Sequence, residues 1–212
     1  MSDAPSEHQF KILVICEGDE EIMYLQALID LNVFDPMYEV IPKLAALAPG
    51  DSGGAGKVPM VFQYYYTSQA YDAMYFMIDV DANPHEAFEN VKTKVNGIAP
   101  KLFEKHALYT NPCTLQLMVL HFEKTVLSNQ NKANNTAVVK RIWPSIKKQY
   151  SAKAYQLNIM KYAFSANNYM EMKQNMKTLE SGDCYSAPSS NIPDFFDHLE
   201  SGDASWLTKK SK

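Results

Sequence analysis

Apolar residues gather in four short runs, and helical spacing follows most of them. The first, Phe10-Lys-Ile-Leu-Val-Ile-Cys16, is nearly all apolar and rich in branched side chains. That is the pattern of a central strand in a mostly parallel sheet, covered on both faces. It gives way to Glu17-Gly18-Asp19, where glycine permits a sharp turn. A helix is expected from Glu20 to Leu31, with Ile22, Leu25, Leu28 and Ile29 as its buried stripe and Asp19, Glu20 and Glu21 favouring its N-terminus through the helix dipole. Tyr38 to Pro42 reads as a short second strand, and residues 43–58 as a flexible loop. A short helix over Ser68–Met74 is expected to lead into the third strand. That strand is Tyr75-Phe-Met-Ile-Asp-Val-Asp81, an apolar run closed by two aspartates. In an extended chain Asp79 and Asp81 lie on one side.

Beyond Asn83-Pro84 a helix is expected to Val95, stopped by Asn96-Gly97. His106–Thr110 reads as a fourth strand. A long, unusually apolar helix through Leu115, Leu117, Met118, Val119, Leu120 and Phe122 should follow Asn111-Pro112. A basic helix is expected over Val138–Tyr150, interrupted by Pro144. One or two further helices are expected over 151–180, then a Gly/Ser/Pro loop over 181–190. A last short helix is expected around Phe195, Phe196 and Leu199. The order predicts an α/β fold: a Rossmann-like, mostly parallel four-stranded sheet flanked by helices, with a helical C-terminal region. The division expected is an α/β core over 10–122 and a mainly helical extension over 123–212 packed on it.

Charge sharpens this picture. Residues 1–122 hold 7 basic and 16 acidic side chains, a balance of −9, whereas residues 123–181 hold 10 and 3, a balance of +7. An acidic half able to hold cations beside a basic half able to hold phosphates suits a nucleic-acid partner. Two oppositely charged surfaces that simply attract each other remain the alternative. No apolar stretch approaches the roughly 18 residues of a membrane span. The N-terminus has no basic region followed by an apolar core, so no signal peptide is expected. Cys16, Cys113 and Cys184 form no CxxC pair. A disulfide framework and a zinc–thiolate site are not expected, and a reducing cytoplasm is.

Two loops invite functional readings. Pro49 to Lys57 is glycine-rich, but a phosphate-binding P-loop needs Gly, four residues and Gly-Lys-Ser/Thr. Asp51 stands where its first glycine belongs and Val58 where its hydroxyl belongs, so ATP binding is rejected. Tyr64, Tyr65, Tyr66 and Tyr71 supply rings that suit either base stacking or packing with the hydroxyl at the rim. In a parallel sheet, ligands bind beyond the carboxyl ends of the strands. If the first and third strands are neighbours, Glu17, Asp79 and Asp81 converge there. Three carboxylates suit a hard cation such as Mg²⁺ or Mn²⁺, which takes oxygen ligands and polarises a phosphoryl oxygen. Lys140, Arg141, Lys147 and Lys148 are the candidates for phosphate contact.

Ile12-Leu-Val-Ile-Cys-Glu-Gly18, followed by Asp-Glu-Glu and later by a strand ending Asp79-Val-Asp81, resembles the Toprim domain. That domain occurs in topoisomerases, primases, OLD-family nucleases and recombination proteins. The resemblance places its glutamate at Glu17 and its paired aspartates at Asp79 and Asp81, as catalytic and metal-binding residues. Its third acidic position holds Asn83. Asn111-Pro112, with His121-Phe122 downstream, is similar to a stretch of the RloB-like small Toprim proteins associated with phage defence. There the family glutamate is replaced by Leu115 and the tryptophan by Leu117. The likeness spans residues 10–122. It implies a Mg²⁺- or Mn²⁺-dependent nuclease, with Asn83, His85, Asn111 and His121 as supporting positions. It also implies a nucleic-acid partner and an ATPase partner subunit or homo-oligomer. A catalytically inactive sensor subunit and a protein-interaction module are the alternatives, and the losses at 83, 115 and 117 speak for the first of these.

Overall fold

The computed structural model describes residues 9–81, 85–128, 135–146 and 154–208. Strand β1 (Phe10–Cys16) leads through helix α1 (Asp19–Asp30) to β2 (Tyr38–Leu44). A single 3₁₀ turn (Ala55–Lys57) and α2 (Val58–Ser68) precede β3 (Ala73–Asp79). Helices α3 (Glu86–Ile98) and α4 (Leu102–His106) precede β4 (Ala107–Asn111). Then come α5 (Leu115–Leu120), α6 (Thr136–Ile142), α7 (Ala154–Lys161) and α8 (Ala166–Leu179). The two-residue β5 (Ser189–Ser190), α9 (Ile192–Glu200) and α10 (Ser205–Thr208) are the last of the described elements.

The sheet order is β2-β1-β3-β4-β5, with the first four strands parallel and β5 antiparallel. The expected sheet is thus present with one added edge strand. Two residues carry too little periodicity to be read as a strand, and β5 exists only because Ser190 and Ser189 pair with Thr110 and Asn111. Pro42 lies inside β2, which is tolerated because β2 is the opposite edge.

Each sheet face has its own core. One joins Val14, Cys16, Tyr75 and Met77 to α1, α5 and the C-terminal helices, through Tyr24, Leu28, Phe196 and Trp206. The other joins Ile15, Phe76 and Ile78 to α2 and α3, through Phe62 and Phe88. A fully buried Leu, Ile or Phe contributes about 1.5–3 kcal/mol, so covering both faces is what closes the sheet. The segment after residue 122 therefore completes one face of the core.

Several expected boundaries move. The helix before β3 is Val58–Ser68, not Ser68–Met74. Val58, Val61 and Phe62 give it an inward stripe at i, i+3 and i+4, and Pro59 sits in its first turn. Gly97 does not stop α3. The helix runs to Ile98 and ends where Ala99, before Pro100, is extended. The apolar helix after Pro112 is short, and Leu115 to Leu120 are all buried. The basic helix stops at Ile142, ahead of Trp143-Pro144. Residues 147–150 of the expected helix lie outside the described residues.

Candidate functional site

The β1 and β3 strands are neighbours, and the order of connections reverses between them: β2 lies to one side of β1 and β3 to the other. At such a switch point the loops leaving the two strands diverge and open a crevice at their carboxyl ends. Glu17 follows β1 and Asp79 ends β3, so both stand at this crevice. They touch: Glu17 Oε2 accepts from the Asp79 N–H at 3.2 Å. The Glu17 N–H donates to the Met77 carbonyl at 3.0 Å, continuing the ladder.

Asp79 is the electrostatic centre. Its Oδ1 accepts from the Thr114 N–H at 2.8 Å and from Thr114 Oγ1 at 3.1 Å. Its carboxyl is held well above the usual carboxylate range, first by burial and then by the charges of Glu21, Glu17, Glu20 and Asp81. Glu20 and Glu21 come from the first turn of α1 and are buried. Acidic residues are seldom buried without strong reason. From sequence these two read as favourable helix N-terminal charges. The missed signal was their position: the first turn of a helix that follows a central strand looks into the crevice.

Asp81 arrives differently from the alternation argument. The strand ends at Asp79, and Asp81 takes φ 57°. The extended-chain rule therefore stops at Asp79. A left-handed residue turns the chain, and the Asp81 N–H bonds the Pro112 carbonyl at 2.8 Å. His85 is also left-handed, at φ 61°. Its Nδ1 lies 3.2 Å from the Val80 carbonyl and 3.0 Å from that of Asp81. Because both partners are acceptors, Nδ1 carries the proton.

A glycine loop forms one wall. Gly54 N–H donates to the Glu17 carbonyl at 2.6 Å. A Cβ on Gly53 would lie 2.2 Å from that same oxygen and 2.6 Å from the Leu44 side chain. Glycine is required here for close approach rather than for a phosphate cradle. Lys57, at the end of this loop, pairs with Asp51 and donates to the Ser52 carbonyl at 2.7 Å. Gly53→Ala should cost about 1–3 kcal/mol of stability. Gly56→Ala, where a Cβ meets nothing within 4 Å, should cost far less. Urea denaturation of both variants checks this, and equal losses would refute it.

The other expected positions scatter. Asn111 is buried at the end of β4 and donates to the Cys184 carbonyl at 2.9 Å. His121 sits in the core, with Nε2 3.0 Å from Tyr24 Oη and Nδ1 3.1 Å from Asn168 Oδ1. Lys140 and Arg141 are exposed on α6, and Arg141 makes a two-pronged ion pair with Glu123. Asn83, Lys147 and Lys148 lie outside the described residues.

The donors at the crevice are all carboxylate oxygens, the chemistry of a hard cation. Among the described residues, no group of three or more His, Cys, Asp or Glu side chains is arranged to hold a metal ion. Mg²⁺ does not demand such a cage, since it is usually held through one or two carboxylates with water and substrate phosphate. The donor type thus fits, while a full protein cage is not formed.

Fold and site together define an α/β protein with a mostly parallel sheet and an acidic crevice at its switch point. No protein-family model, curated protein or solved structure matches the chain. Among the described residues no helix is long and apolar enough to cross a membrane.

Proposed function

We propose that the chain is a Toprim-like protein, of the RloB-like kind linked to phage defence, that cleaves nucleic-acid phosphodiesters with Mg²⁺ or Mn²⁺. The observation that carries this reading is Asp79, raised in pKa among four other acids at the β1–β3 crevice. Carboxylates gathered this way repel one another until a cation or a proton lies between them. A divalent ion, when bound, would polarise a phosphoryl oxygen.

The chain's own residues have distinct parts in this reading. Thr114 fixes Asp79 through Oδ1. Glu17 and Asp81 supply further carboxylate oxygen. Lys57, on the loop that packs against Glu17, reaches a phosphate only by exchanging its Asp51 partner for it. Lys140 and Arg141 offer phosphate contacts farther along the chain, Arg141 by exchanging Glu123 for a phosphate. The nucleic-acid partner, the ATPase partner subunit or homo-oligomer, and the cytoplasmic setting belong to the same proposal.

A second reading, a catalytically silent nucleic-acid sensor, is favoured by Leu115 and Leu117. Both are buried, 1% and 0% exposed, so positions that carry Glu and Trp in the resembled family serve the core here. Cleavage of single- and double-stranded DNA and RNA with Mn²⁺ or Mg²⁺ separates the two. Metal-dependent turnover lost at least about 100-fold in Asp79→Ala is expected for the nuclease. Nucleic-acid binding with no turnover in either protein selects the sensor.

A further inference from the structure

The two edges of the sheet are finished differently. The β4 edge is covered by β5 and by the Asn191 side chain, which stands in for a strand residue. Its Oδ1 accepts from the Tyr109 N–H at 2.8 Å, and its Nδ2 donates to the Ala107 carbonyl at 2.8 Å. The other edge, β2, has seven residues and pairs with β1 alone.

The bonds that flank β2 fix the direction of its peptide groups. The Met37 carbonyl accepts from the Phe10 N–H at 2.8 Å, and the Ala45 N–H donates to the Cys16 carbonyl at 2.8 Å. Odd-numbered residues therefore face β1, and alternation turns Tyr38, Val40, Pro42 and Leu44 to the free side. There the Tyr38 N–H is taken by the Asp35 carbonyl, the Leu44 carbonyl accepts from the Ala46 N–H, and Pro42 has no N–H to offer. Among the described residues no other backbone bond reaches this side. The donors left are on Val40 and Leu44, and the acceptors on Tyr38, Val40 and Pro42.

The side chains add a charge pattern that complements itself. Glu39, Ile41 and Lys43 share one face of the strand. Glu39 is exposed and has no partner among the described residues. Lys43 is exposed too, and its Nζ stands 5.0 Å above the Tyr65 ring, which holds the ammonium beside the edge.

We infer that β2 pairs with the β2 strand of a second copy of this chain, antiparallel, with the two-fold axis at Ile41. That register sets Glu39 opposite Lys43 of the second copy, and Lys43 opposite its Glu39, at the closely spaced positions where cross-strand side chains meet. The Val40 N–H then donates to the Pro42 carbonyl of the second copy, the Leu44 N–H donates to its Tyr38 carbonyl, and symmetry repeats both bonds. Other registers lose these matches. An axis at Glu39 or Lys43 brings like charges together. An axis at Val40 sets Glu39 against Ile41, and one at Pro42 sets two residues without donors face to face. Because the β4 edge of each sheet is covered, the assembly closes at two copies. The inference goes beyond the nuclease reading and does not rest on it. It gives a surface to the homo-oligomer named there.

Sedimentation velocity of the full chain from micromolar to millimolar concentration, without divalent ion or nucleic acid, tests this. The wild type should pass from monomer to dimer. Glu39→Lys and Lys43→Glu each set like charges across both ends of the pair, and each should weaken the dimer at least about fivefold. An equal mixture of these two variants should regain the dimer, because every facing pair is again opposite in charge. Val40→Pro removes an outward N–H and no bond to β1. It should melt near the wild-type temperature and lose the dimer. The inference is overturned by a wild type that stays monomeric at millimolar concentration or grows past the dimer, by either charge variant dimerising as the wild type does, by a mixture no more dimeric than its components, or by an undiminished dimer in Val40→Pro.

Discussion

Asp79→Asn should melt several degrees above the wild type at pH 7.5, and the gain should vanish near pH 4. Burial and four neighbouring acids raise the Asp79 pKa in the folded chain. In the unfolded chain the group returns to about 3.9. Below that value both states hold the proton, and the folded state bears no charge penalty. As pH climbs through the raised folded value, the carboxyl must ionise beside Glu21, Glu17, Glu20 and Asp81, and stability is lost. Asparagine never ionises. Its Oδ1 keeps both bonds from Thr114, so the substitution removes charge with little loss of hydrogen bonding. For a chain of this size each kcal/mol relieved is worth roughly 2–4 °C.

Divalent cation should separate the two proteins as well. Millimolar Mn²⁺ should raise the melting temperature of the wild type and leave Asp79→Asn nearly unmoved, because ligand binding stabilises only the state that binds. Differential scanning fluorimetry at pH 4, 6 and 7.5, with and without Mn²⁺, measures both effects. A variant that melts below the wild type at pH 7.5, or that responds equally to Mn²⁺, would remove Asp79 from the centre of the site.

His121 should produce the second large effect, with the reverse dependence on pH. Asn168 Oδ1 also accepts from the Ser165 N–H at 2.8 Å, and Asn168 Nδ2 donates to the Ala163 carbonyl at 3.0 Å. That fixes the amide, so His121 Nδ1 donates to Asn168 and Nε2 accepts from the Tyr24 hydroxyl. Burial then lowers the His121 pKa to about 4 from its usual 6.5, against a smaller opposing contribution from the Asn168 bond. A group with a lowered folded value contributes stability above its unfolded value and loses it as pH falls toward the folded one. Between pH 6.5 and 4 the wild type should therefore give up as much as about 3 kcal/mol at this residue.

His121→Leu should cost about 2–4 kcal/mol at pH 7.5, since it strands the Tyr24 hydroxyl and one bond to Asn168 in the core. At pH 4 most of the gap should close, because the wild type has by then lost the same contribution. Urea titrations at the two pH values check this. Parallel losses at both would place His121 outside the pH response. The opposite slopes expected of Asp79 and His121 make each variant a control for the other.

Much of the fold was legible because burial writes itself into sequence. β1 matches its apolar run residue for residue, and β3 and β4 fall within two residues of theirs. The acids at 17, 79 and 81 were legible for a related reason: an apolar strand that stops at a carboxylate marks its own exposed end. Helix ends were less so. Gly97 looked like a stop signal, yet α3 runs one residue past it to Ile98, whose side chain packs on the core beneath α2 and α3. Glu20 and Glu21 looked like dipole partners, because linear order hides that a helix's first turn can face a neighbouring strand's end.

The sequence by itself determined the four strands that suit a parallel sheet and which acids stand at their ends. Only the tertiary structure decided that β1 and β3 adjoin, that Glu17 bonds to the Asp79 backbone, that α1 adds two acids to the cluster, and that Thr114 and Gly53 frame it. Strand identity follows from local alternation and burial, which each residue carries with it. Adjacency depends on pairings between segments some sixty residues apart, such as Glu17 and Asp79, and these are selected by the packing of both sheet faces at once.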